Sequence, residues 1–496
     1  QARPTDPVTL SIPAAESGDA FVPGTRLVAN LPGAGYVEEE FFVEGRATLF
    51  NYAHNPPLGP TDLEAIDADV PYTTRLIVRR PADPAAFNGT VVIEWWNSTA
   101  GFDGAPVWDQ SAEYFARSGI AYVGVTNSTT AIAFLAGGCR VFGVLPPSCG
   151  SRYATLSLPE NGLAWEMMSQ IANLLKSNDP QNPLPQAYRV ERLFHAGESQ
   201  QAGSVITYAS AFHLDEVNDG YFIQSNVHAR PINFGPRCAD AGVPAFPDCT
   251  PRLVYPDPLM RTDLPVPVYQ VSTQTDVETL NFNVLGRQPD TPSFRYFEVA
   301  GAGHNVVHKD IELIPAGLLG PDALGLEDLC ANAMNTTADG PVFASHVLNA
   351  LWARMETHAD FRSFYQIVNR QLPAGQVMDQ VDGVLQRDAQ GNVTGGVRLP
   401  ALGAPTATYL STNVADPDLP PALLAIGNLA CRLSGSVVPF DQATLDALYP
   451  NPVTYLVKVR ASVDALLRQG LLLPEDAAAV MSEAARASTG RQASSD

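Results

Sequence analysis

Residues 192–212 decide how this chain folds, and they read Arg192-Leu-Phe-His-Ala-Gly-Glu-Ser-Gln-Gln-Ala-Gly-Ser-Val-Ile-Thr-Tyr-Ala-Ser-Ala-Phe212. A short apolar run leads into Gly197-Glu-Ser199, and a segment compatible with a helix follows directly. This succession of strand, sharp turn and helix predicts a nucleophile elbow with Ser199 at its tip. The turn would lift the serine hydroxyl clear of the sheet edge. It would also aim the backbone N–H of Gln200 at a developing oxyanion.

The motif departs from the usual G-x-S-x-G pattern at its second glycine. Gln201 occupies that position, and the next glycine is Gly203. The alternative interpretation is a solvent-exposed serine in an ordinary loop between a strand and a helix, which is commoner than a catalytic serine. The other groups that the chemistry needs must therefore be sought elsewhere in the chain.

The segments around the elbow alternate between strand and helix patterns. Residues 90–96 are apolar and aromatic without alternation, which favours a strand buried on both faces of a parallel sheet. Helices are predicted over 107–117 and 161–176, and strands over 120–125, 221–223, 267–272 and 294–299. The pattern predicts a doubly wound, mostly parallel α/β sheet, with its ligand site beyond the carboxyl ends of the strands.

Two further groups with the right chemistry follow predicted strands. Asp276 comes just after the strand near residue 270, and His304 ends the glycine-rich turn Ala300-Gly-Ala-Gly-His304. The spacing predicts a triad in which His304 takes the Ser199 proton and Asp276 orients the imidazole. Glu278 is the alternative acid; we favour Asp276 because it comes first after the strand.

The chain order Ser199, Asp276 and His304 resembles that of the α/β-hydrolase superfamily, in which the triad follows the order serine, acid and histidine. Further segments resemble a bacterial family of alpha/beta hydrolase domain proteins over nearly the whole chain: Tyr36-Val-Glu-Glu-Glu-Phe-Phe42, Glu94-Trp-Trp-Asn97, Gly197-Glu-Ser-Gln200, Gly395-Gly-Val-Arg-Leu-Pro400 and Gly470-Leu-Leu-Leu-Pro474.

The resemblance also implies a second oxyanion donor, in the loop that follows the strand ending at Trp96. The donor would be the backbone N–H of Asn97 or an immediate neighbour, alongside the N–H of Gln200. Trp95, Trp96 and Trp108 either line a pocket for the acyl or alcohol group or pack in the core.

Composition narrows the class of protein. The chain has 496 residues, 45% of them hydrophobic and 17% charged, which is typical of a globular protein with a large core. Its formal net charge of −22 argues against nucleic acid as a partner, because phosphate contacts need clustered basic residues. No apolar run is long enough to span a bilayer, and no metal-ligand cluster or phosphate-binding loop is evident.

Six cysteines indicate disulfides and an oxidising compartment, so we expect a secreted or periplasmic protein. The pairing that we favour is Cys139–Cys149, Cys238–Cys249 and Cys330–Cys431; free buried cysteines are the alternative.

We divide the chain into an α/β-hydrolase core with β-rich lead-in, residues 1–310, and a mixed, largely helical C-terminal extension, residues 311–496. We expect this extension to pack on the core and to shape the substrate cleft.

The function predicted from the sequence is hydrolysis of a carboxylic ester, small or polymeric, through an acyl-enzyme on Ser199, with no cofactor and no metal. An amidase, a lactonase or an acyltransferase would use the same triad. An inactive hydrolase fold used for binding is the alternative from another class. The sequence leaves the acyl group, the alcohol group and the oligomeric state open.

Overall fold

The computed structural model of the protein describes residues 6–14, 17–24, 30–54, 56–140, 149–233, 259–280, 286–304, 312–314, 324–325, 327–335, 344–357 and 376–492. The chain forms two compact units. The first comprises residues 1–108 and 112–268, and the second comprises residues 109–111 and 269–496. The domain boundary expected near residue 310 stays a prediction.

The order and direction of the strands in the first unit place the loops that follow β4 and β6. In its described part they are β1 (Thr9–Ser11), β2 (Tyr36–Tyr52), β3 (Leu63–Pro81), β4 (Thr90–Trp95), β5 (Ala121–Val125), β6 (Arg192–Glu198) and β7 (Gly220–Gln224). Their order is β1-β2-β3-β5-β4-β6-β7. Pairs from β1 to β5 are antiparallel, whereas β5, β4, β6 and β7 run parallel. The order reverses at β4, so the carboxyl ends of β4 and β6 flank a topological switch point.

Four described helices connect these strands: α1 (Pro106–Ser118), α2 (Thr129–Ala136), α3 (Ala164–Lys176) and α4 (Gln200–Phe212). Proline at the first position of α1 suits a helix start, and Gly119 ends this helix in the left-handed region with φ 74°. The sequence patterns did not predict α2. Ser128 caps it by accepting the N–H of Ala131.

The core of the first unit lies around β4 and β6. Every residue of β4 is buried, and so are all residues of β6 after Arg192. Burial on both faces accounts for the absence of polar alternation in these segments. The α/β fold with a central parallel sheet is therefore confirmed.

The second unit contributes the remaining strands and helices. Its described strands are β8 (Val268–Thr273), which starts at the unit boundary, β9 (Phe294–Ala300), β10 (Glu312–Ile314), β11 (Leu324–Gly325), β12 (Gln380–Val381), β13 (Val384–Leu385), β14 (Val397–Arg398), β15 (Ala407–Leu410) and β16 (Ser436–Pro439). The first sheet of this unit has the order β8-β9-β14, with β14 parallel to β9. The pairs β10–β11, β12–β13 and β15–β16 are antiparallel.

Its described helices are α5 (Gln274–Glu278), α6 (Ala344–Thr357), α7 (Pro400–Gly403), α8 (Pro421–Ser434), α9 (Gln442–Leu448), α10 (Pro452–Gln469) and α11 (Pro474–Gln492). The short α5 follows β8 directly, and a capping box at Thr273 fixes its first turn. The acid expected after this strand therefore lies on a helix with a defined start.

Two of the three expected disulfides are present, Cys139–Cys149 and Cys330–Cys431. The third pair, Cys238–Cys249, lies outside the described residues.

In the described part of the chain, no helix has both the length and the hydropathy needed to cross a membrane.

Candidate active site

Ser199 joins β6 to α4 in a backbone conformation that side-chain-bearing residues rarely adopt. Its φ of 55° and ψ of −117° place it outside the ordinary allowed regions, at a cost of about 1–3 kcal/mol. The surrounding backbone holds this conformation. The Ser199 N–H donates to the carbonyl of Gln224 at 2.9 Å, and its own carbonyl accepts the side-chain amide of Asn226 at 3.0 Å. The strand, turn and helix predicted from the sequence are thus present.

Close packing explains the glycines around the elbow. A Cβ atom at Gly197 would lie 2.5 Å from the carbonyl oxygen of Gln201 and 3.0 Å from the nitrogen of Ala202. At Gly203 it would lie 2.8 Å from the carbonyl oxygen of His228. The second glycine is therefore required at 203, where the helix meets another backbone segment. Gln201, which is only 1% exposed, fits at the position where the usual motif has glycine.

The first turn of α4 offers backbone donors to an anion. Gln200 is the first residue of this helix, so its N–H has no acceptor within the helix. The first turn also carries no acidic side chain. The positive end of the helix dipole therefore acts without a competing carboxylate of its own.

The loop after β4 is closed by a pair of backbone hydrogen bonds. The N–H of Asn97 donates to the carbonyl of Gly104 at 3.0 Å, and the N–H of Gly104 donates back at 2.7 Å. The Asn97 N–H is thus committed to a neighbouring carbonyl. Ser98 is the immediate neighbour, and within the described residues its N–H meets no protein acceptor although the residue is only 6% exposed. Its hydroxyl donates to the side-chain oxygen of Gln200 at 3.4 Å, so the loop reaches the elbow.

Asp276 and His304 form a buried pair in the second unit. Nδ1 of His304 hydrogen-bonds one carboxylate oxygen of Asp276, and the side chains are 2% and 0% exposed. The other carboxylate oxygen accepts the backbone N–H of Thr273 at 2.7 Å. In the neutral ring the proton is therefore held on Nδ1, which makes Nε2 the basic nitrogen.

Glu278, the alternative acid, has a different partner. Its two carboxylate oxygens lie 2.6 and 2.8 Å from one guanidinium nitrogen of Arg387. Burial raises the pKa of Glu278, but the hydrogen bonds from Arg387, Ser411 and Gln274 and the charge of Arg387 together outweigh it, so the pKa lies below its ordinary value. The structure therefore pairs Asp276, and not Glu278, with His304.

The turn that carries His304 is held by distant residues. Gly301 has φ 76°, and its N–H donates to the side chain of Gln274 at 2.8 Å. The carbonyl of Gly301 accepts the side-chain amide of Asn335 at 2.5 Å. The N–H of His304 donates to the carbonyl of Leu433 at 2.8 Å, near the end of α8.

The three tryptophans that were candidates for a substrate pocket lie in the core. Trp95, Trp96 and Trp108 are at most 1% exposed. The indole N–H of Trp96 donates to the hydroxyl of Tyr122 at 2.8 Å, as expected for a buried polar group. Core packing is therefore the correct alternative for these residues.

A second histidine lies in the elbow strand, two residues before Gly197. The indole N–H of Trp95 donates to Nδ1 of His195 at 3.2 Å, so the ring proton lies on Nε2, which faces the side-chain oxygen of Asn218 at 3.0 Å. Burial lowers the pKa of His195 to about 3. This histidine stays neutral at physiological pH and is a satisfied core residue.

Ser199, Gln200 and Asn97 belong to the first unit, and Asp276 and His304 belong to the second. The assembly of one triad from Ser199 and the Asp276–His304 pair stays a prediction.

In the described part of the chain, no group of three or more histidine, cysteine, aspartate or glutamate side chains is arranged to hold a metal ion.

Sequence reasoning missed the supporting contacts of the site. Glu198 and Leu433 have no role in the sequence prediction, although Glu198 stands inside the quoted motif, and Ser98 enters it only as an unnamed neighbour of Asn97. The available signal is the residue type of Glu198, because a carboxylate at the buried end of a strand needs a partner.

A family model described as "Alpha/beta hydrolase domain" matches residues 6–482. No curated protein matches the chain. A solved glucuronoyl esterase from Solibacter usitatus is 12% identical with a TM-score of 0.29, covering 60% of this chain and 82% of that chain. An alpha-beta serine hydrolase homologue from Coxiella burnetii is 12% identical with a TM-score of 0.24, covering 47% and 85%.

Proposed function

The chain belongs to the alpha/beta hydrolase domain family, and on that premise we propose that it is a serine hydrolase that cleaves a carboxylic ester through an acyl-enzyme. The observation that carries the proposal is the strained backbone of Ser199 between β6 and α4. Such strain costs free energy and persists only where the surrounding structure enforces it, which is typical of functional positions. Here it would present a hydroxyl at the carboxyl end of a parallel strand.

The proposed triad is Ser199, His304 and Asp276. The Ser199 oxygen attacks the ester carbonyl while Nε2 of His304 takes the hydroxyl proton. The same nitrogen then gives this proton to the departing alcohol, which leaves the acyl group on Ser199. A water molecule activated by His304 releases the acid and restores the serine. The buried carboxylate of Asp276, which bonds Nδ1, would stabilise the imidazolium formed in both steps.

The proposed oxyanion hole consists of the backbone N–H groups of Gln200 and Ser98. The resemblance implies Asn97 or an immediate neighbour as the second donor, and the N–H of Asn97 bonds the carbonyl of Gly104. Ser98 is preferred because an N–H in a buried residue ordinarily has an acceptor. A tetrahedral oxyanion would supply that acceptor during catalysis.

A secreted or periplasmic location is proposed together with this activity. Its support is the pair of disulfides in the described residues, Cys139–Cys149 and Cys330–Cys431. Such bonds persist in oxidising compartments and are rare in the cytosol.

The test is a panel of chromogenic esters with acyl chains of increasing length, run beside a matched anilide and a lactone. We expect the wild-type protein to cleave one or more esters, and the anilide far more slowly. Ser199→Ala should lower kcat by about 10⁶-fold while leaving the thermal unfolding temperature unchanged. Preferred cleavage of the anilide or the lactone would replace the esterase by an amidase or a lactonase. No turnover of any substrate would favour an inactive fold used for binding.

A further inference from the structure

We propose that Asn97 and Glu198 form a positioning pair that holds the second oxyanion donor, the N–H of Ser98, beside the elbow. Neither side chain needs to touch the substrate in this role. The inference rests on the proposed function, because it concerns the oxyanion of the same reaction.

The contact between these residues joins the loop after β4 to the elbow strand. The side-chain amide nitrogen of Asn97 donates to the backbone carbonyl of Glu198 at 3.1 Å and to its carboxylate at 3.2 Å. Glu198 is only 3% exposed and directly precedes Ser199. The backbone ladder between β4 and β6 ends at the pair Glu94–Ala196. The Asn97 amide thus continues the connection between the two segments where the ladder has stopped.

The other end of the Asn97 side chain shapes the loop itself. Its oxygen accepts the N–H of Thr99 at 2.8 Å, which forms an Asx-turn around Ser98. The carbonyl of Ser98 accepts the N–H of Gly101 at 3.0 Å. One amide group therefore fixes the turn that contains Ser98 and also ties this turn to the residue before the nucleophile.

The far end of the loop has an independent anchor. A carboxylate oxygen of Asp103 lies 3.0 Å from the guanidinium of Arg75 and accepts the hydroxyl of Thr126 at 2.6 Å. All three residues are buried. We therefore expect a change at Asn97 to displace the end of the loop near the elbow without releasing the whole loop.

A purely structural role for the pair makes a different prediction. If Asn97 only satisfies a buried carboxylate, its loss should lower stability and leave the chemical step unaffected in the folded protein. A positioning role should instead lower kcat and leave KM nearly constant, because the oxyanion forms only in the transition state.

The first variant is Asn97→Asp, which keeps the side-chain shape and the acceptor for Thr99 but removes the donor to Glu198. The matched control is Asn392→Asp. Asn392 is fully buried in the second unit, where its amide donates to the carbonyl of Ala407 at 3.0 Å and its oxygen accepts the N–H of Tyr409 at 2.9 Å.

For Asn97→Asp we expect kcat on the best ester to fall about 10²-fold with little change in KM, as for a weakened oxyanion hole. The inhibition constant of an alkylboronic acid should rise in proportion, because its tetrahedral adduct places an oxygen in the same hole. Asn392→Asp should change neither quantity at a temperature where it is folded.

The second variant keeps the test decisive if the first is unstable. In Asn97→Asp/Glu198→Gln the introduced amide can donate to the introduced carboxylate, which restores the side-chain bond with its direction reversed but not the bond to the backbone carbonyl of residue 198. We expect this double variant to regain about tenfold in kcat over Asn97→Asp, so its kcat should lie about tenfold below that of the wild type, a comparison that does not require Asn97→Asp to fold.

A double variant as slow as Asn97→Asp, or a loss shared equally by Asn392→Asp, would overturn the positioning role. Failure of the proposed function itself looks different, because the wild-type protein would then cleave no ester.

Discussion

The elbow around Ser199 and the turn that carries His304 are held in place by different means. At the elbow, the constraints come from nearby residues: Gly197 packs against the carbonyl of Gln201, and the Ser199 N–H bonds Gln224 on the adjacent strand β7. The histidine turn depends on partners much farther along the chain, among them the carbonyl of Leu433. The elbow conformation thus depends on contacts within its own unit, whereas the conformation of the histidine turn depends on how the C-terminal region folds.

This difference gives the Cys330–Cys431 disulfide a role in supporting the histidine turn. Cys431 lies on α8, two residues before Leu433, and it is bonded to Cys330. The disulfide therefore holds the helix segment whose carbonyl anchors the backbone of His304. The Cys139–Cys149 bond lies just after α2, in the first unit.

Among substitutions in the second unit, the largest expected loss of activity follows removal of the Asp276 carboxylate. Asp276→Asn should lower kcat by about 10⁴-fold, because the amide no longer fixes the tautomer of His304 or stabilises its charged form. Glu278→Gln is the matched control and should keep kcat within about threefold, since its carboxylate bonds Arg387 instead. Turnover of one ester by both variants decides the matter, once equal thermal stability is shown. A crippled Glu278→Gln beside a nearly normal Asp276→Asn would reverse the assignment.

Removal of the two disulfides should affect the units unequally. The chain-entropy relation gives about 4.7 kcal/mol for a loop of 101 residues, as between Cys330 and Cys431, and about 3 kcal/mol or less for the loop of 10 between Cys139 and Cys149. We expect the Cys330→Ala/Cys431→Ala variant to lose more stability, and also to lose kcat through His304. Urea unfolding and ester turnover of both double variants measure this. Equal losses of kcat would show that the histidine turn does not depend on the Cys330–Cys431 bond.

Substituting alanine for Gly197 in the elbow and for Gly301 in the histidine turn shows how well each turn accommodates an added Cβ atom. A Cβ at Gly197 meets backbone atoms of Gln201, whereas at Gly301 it meets a terminal methyl group of Leu402 at 2.5 Å. A side-chain methyl can move and a backbone carbonyl cannot, so Gly197→Ala should cost about 3 kcal/mol. Gly301→Ala should cost about 1–2 kcal/mol, mainly for its positive φ. Chemical denaturation gives both values, and a costlier Gly301→Ala would contradict this ranking.

The smallest expected effect concerns the salt bridge of Glu278 and its dependence on pH. Because the folded state lowers the pKa of Glu278 below the ordinary 4.5, the stabilisation is present above that pH and disappears as the pH falls through the lowered value. The side chain is 30% exposed, so the stabilisation should be about 0.5 kcal/mol. Unfolding of the wild type and Glu278→Gln at pH 7 and at pH 3 measures it. A larger difference at pH 3 would contradict the assigned sign.

The elbow was predictable from sequence because its signals are local. An apolar run, Gly197 and Ser199 lie within one short segment, and the helix follows without a gap. The helix α2 was missed although its signals are also local. Its start at Ser128 and its end before Gly137 both carry ordinary signals, but the segment has eight residues and precedes a cysteine-bracketed loop.

The supporting contacts of the site were not predictable, because they join residues that are distant in sequence. The choice between Asp276 and Glu278 depends on Arg387, which is 109 residues beyond Glu278. The N–H of Asn97 is taken by Gly104 only because the intervening loop closes on itself. Neither fact leaves a periodic or compositional trace in the sequence.

The identity of the nucleophile is the central claim, and covalent labelling tests it most directly. A fluorophosphonate should react with the native wild-type protein at one site, and mass spectrometry of the digest should place the adduct on Ser199. Ser199→Ala should not react, whereas Asp276→Asn should react slowly at the same serine. An adduct on another serine, with Ser199 unmodified, would contradict the account.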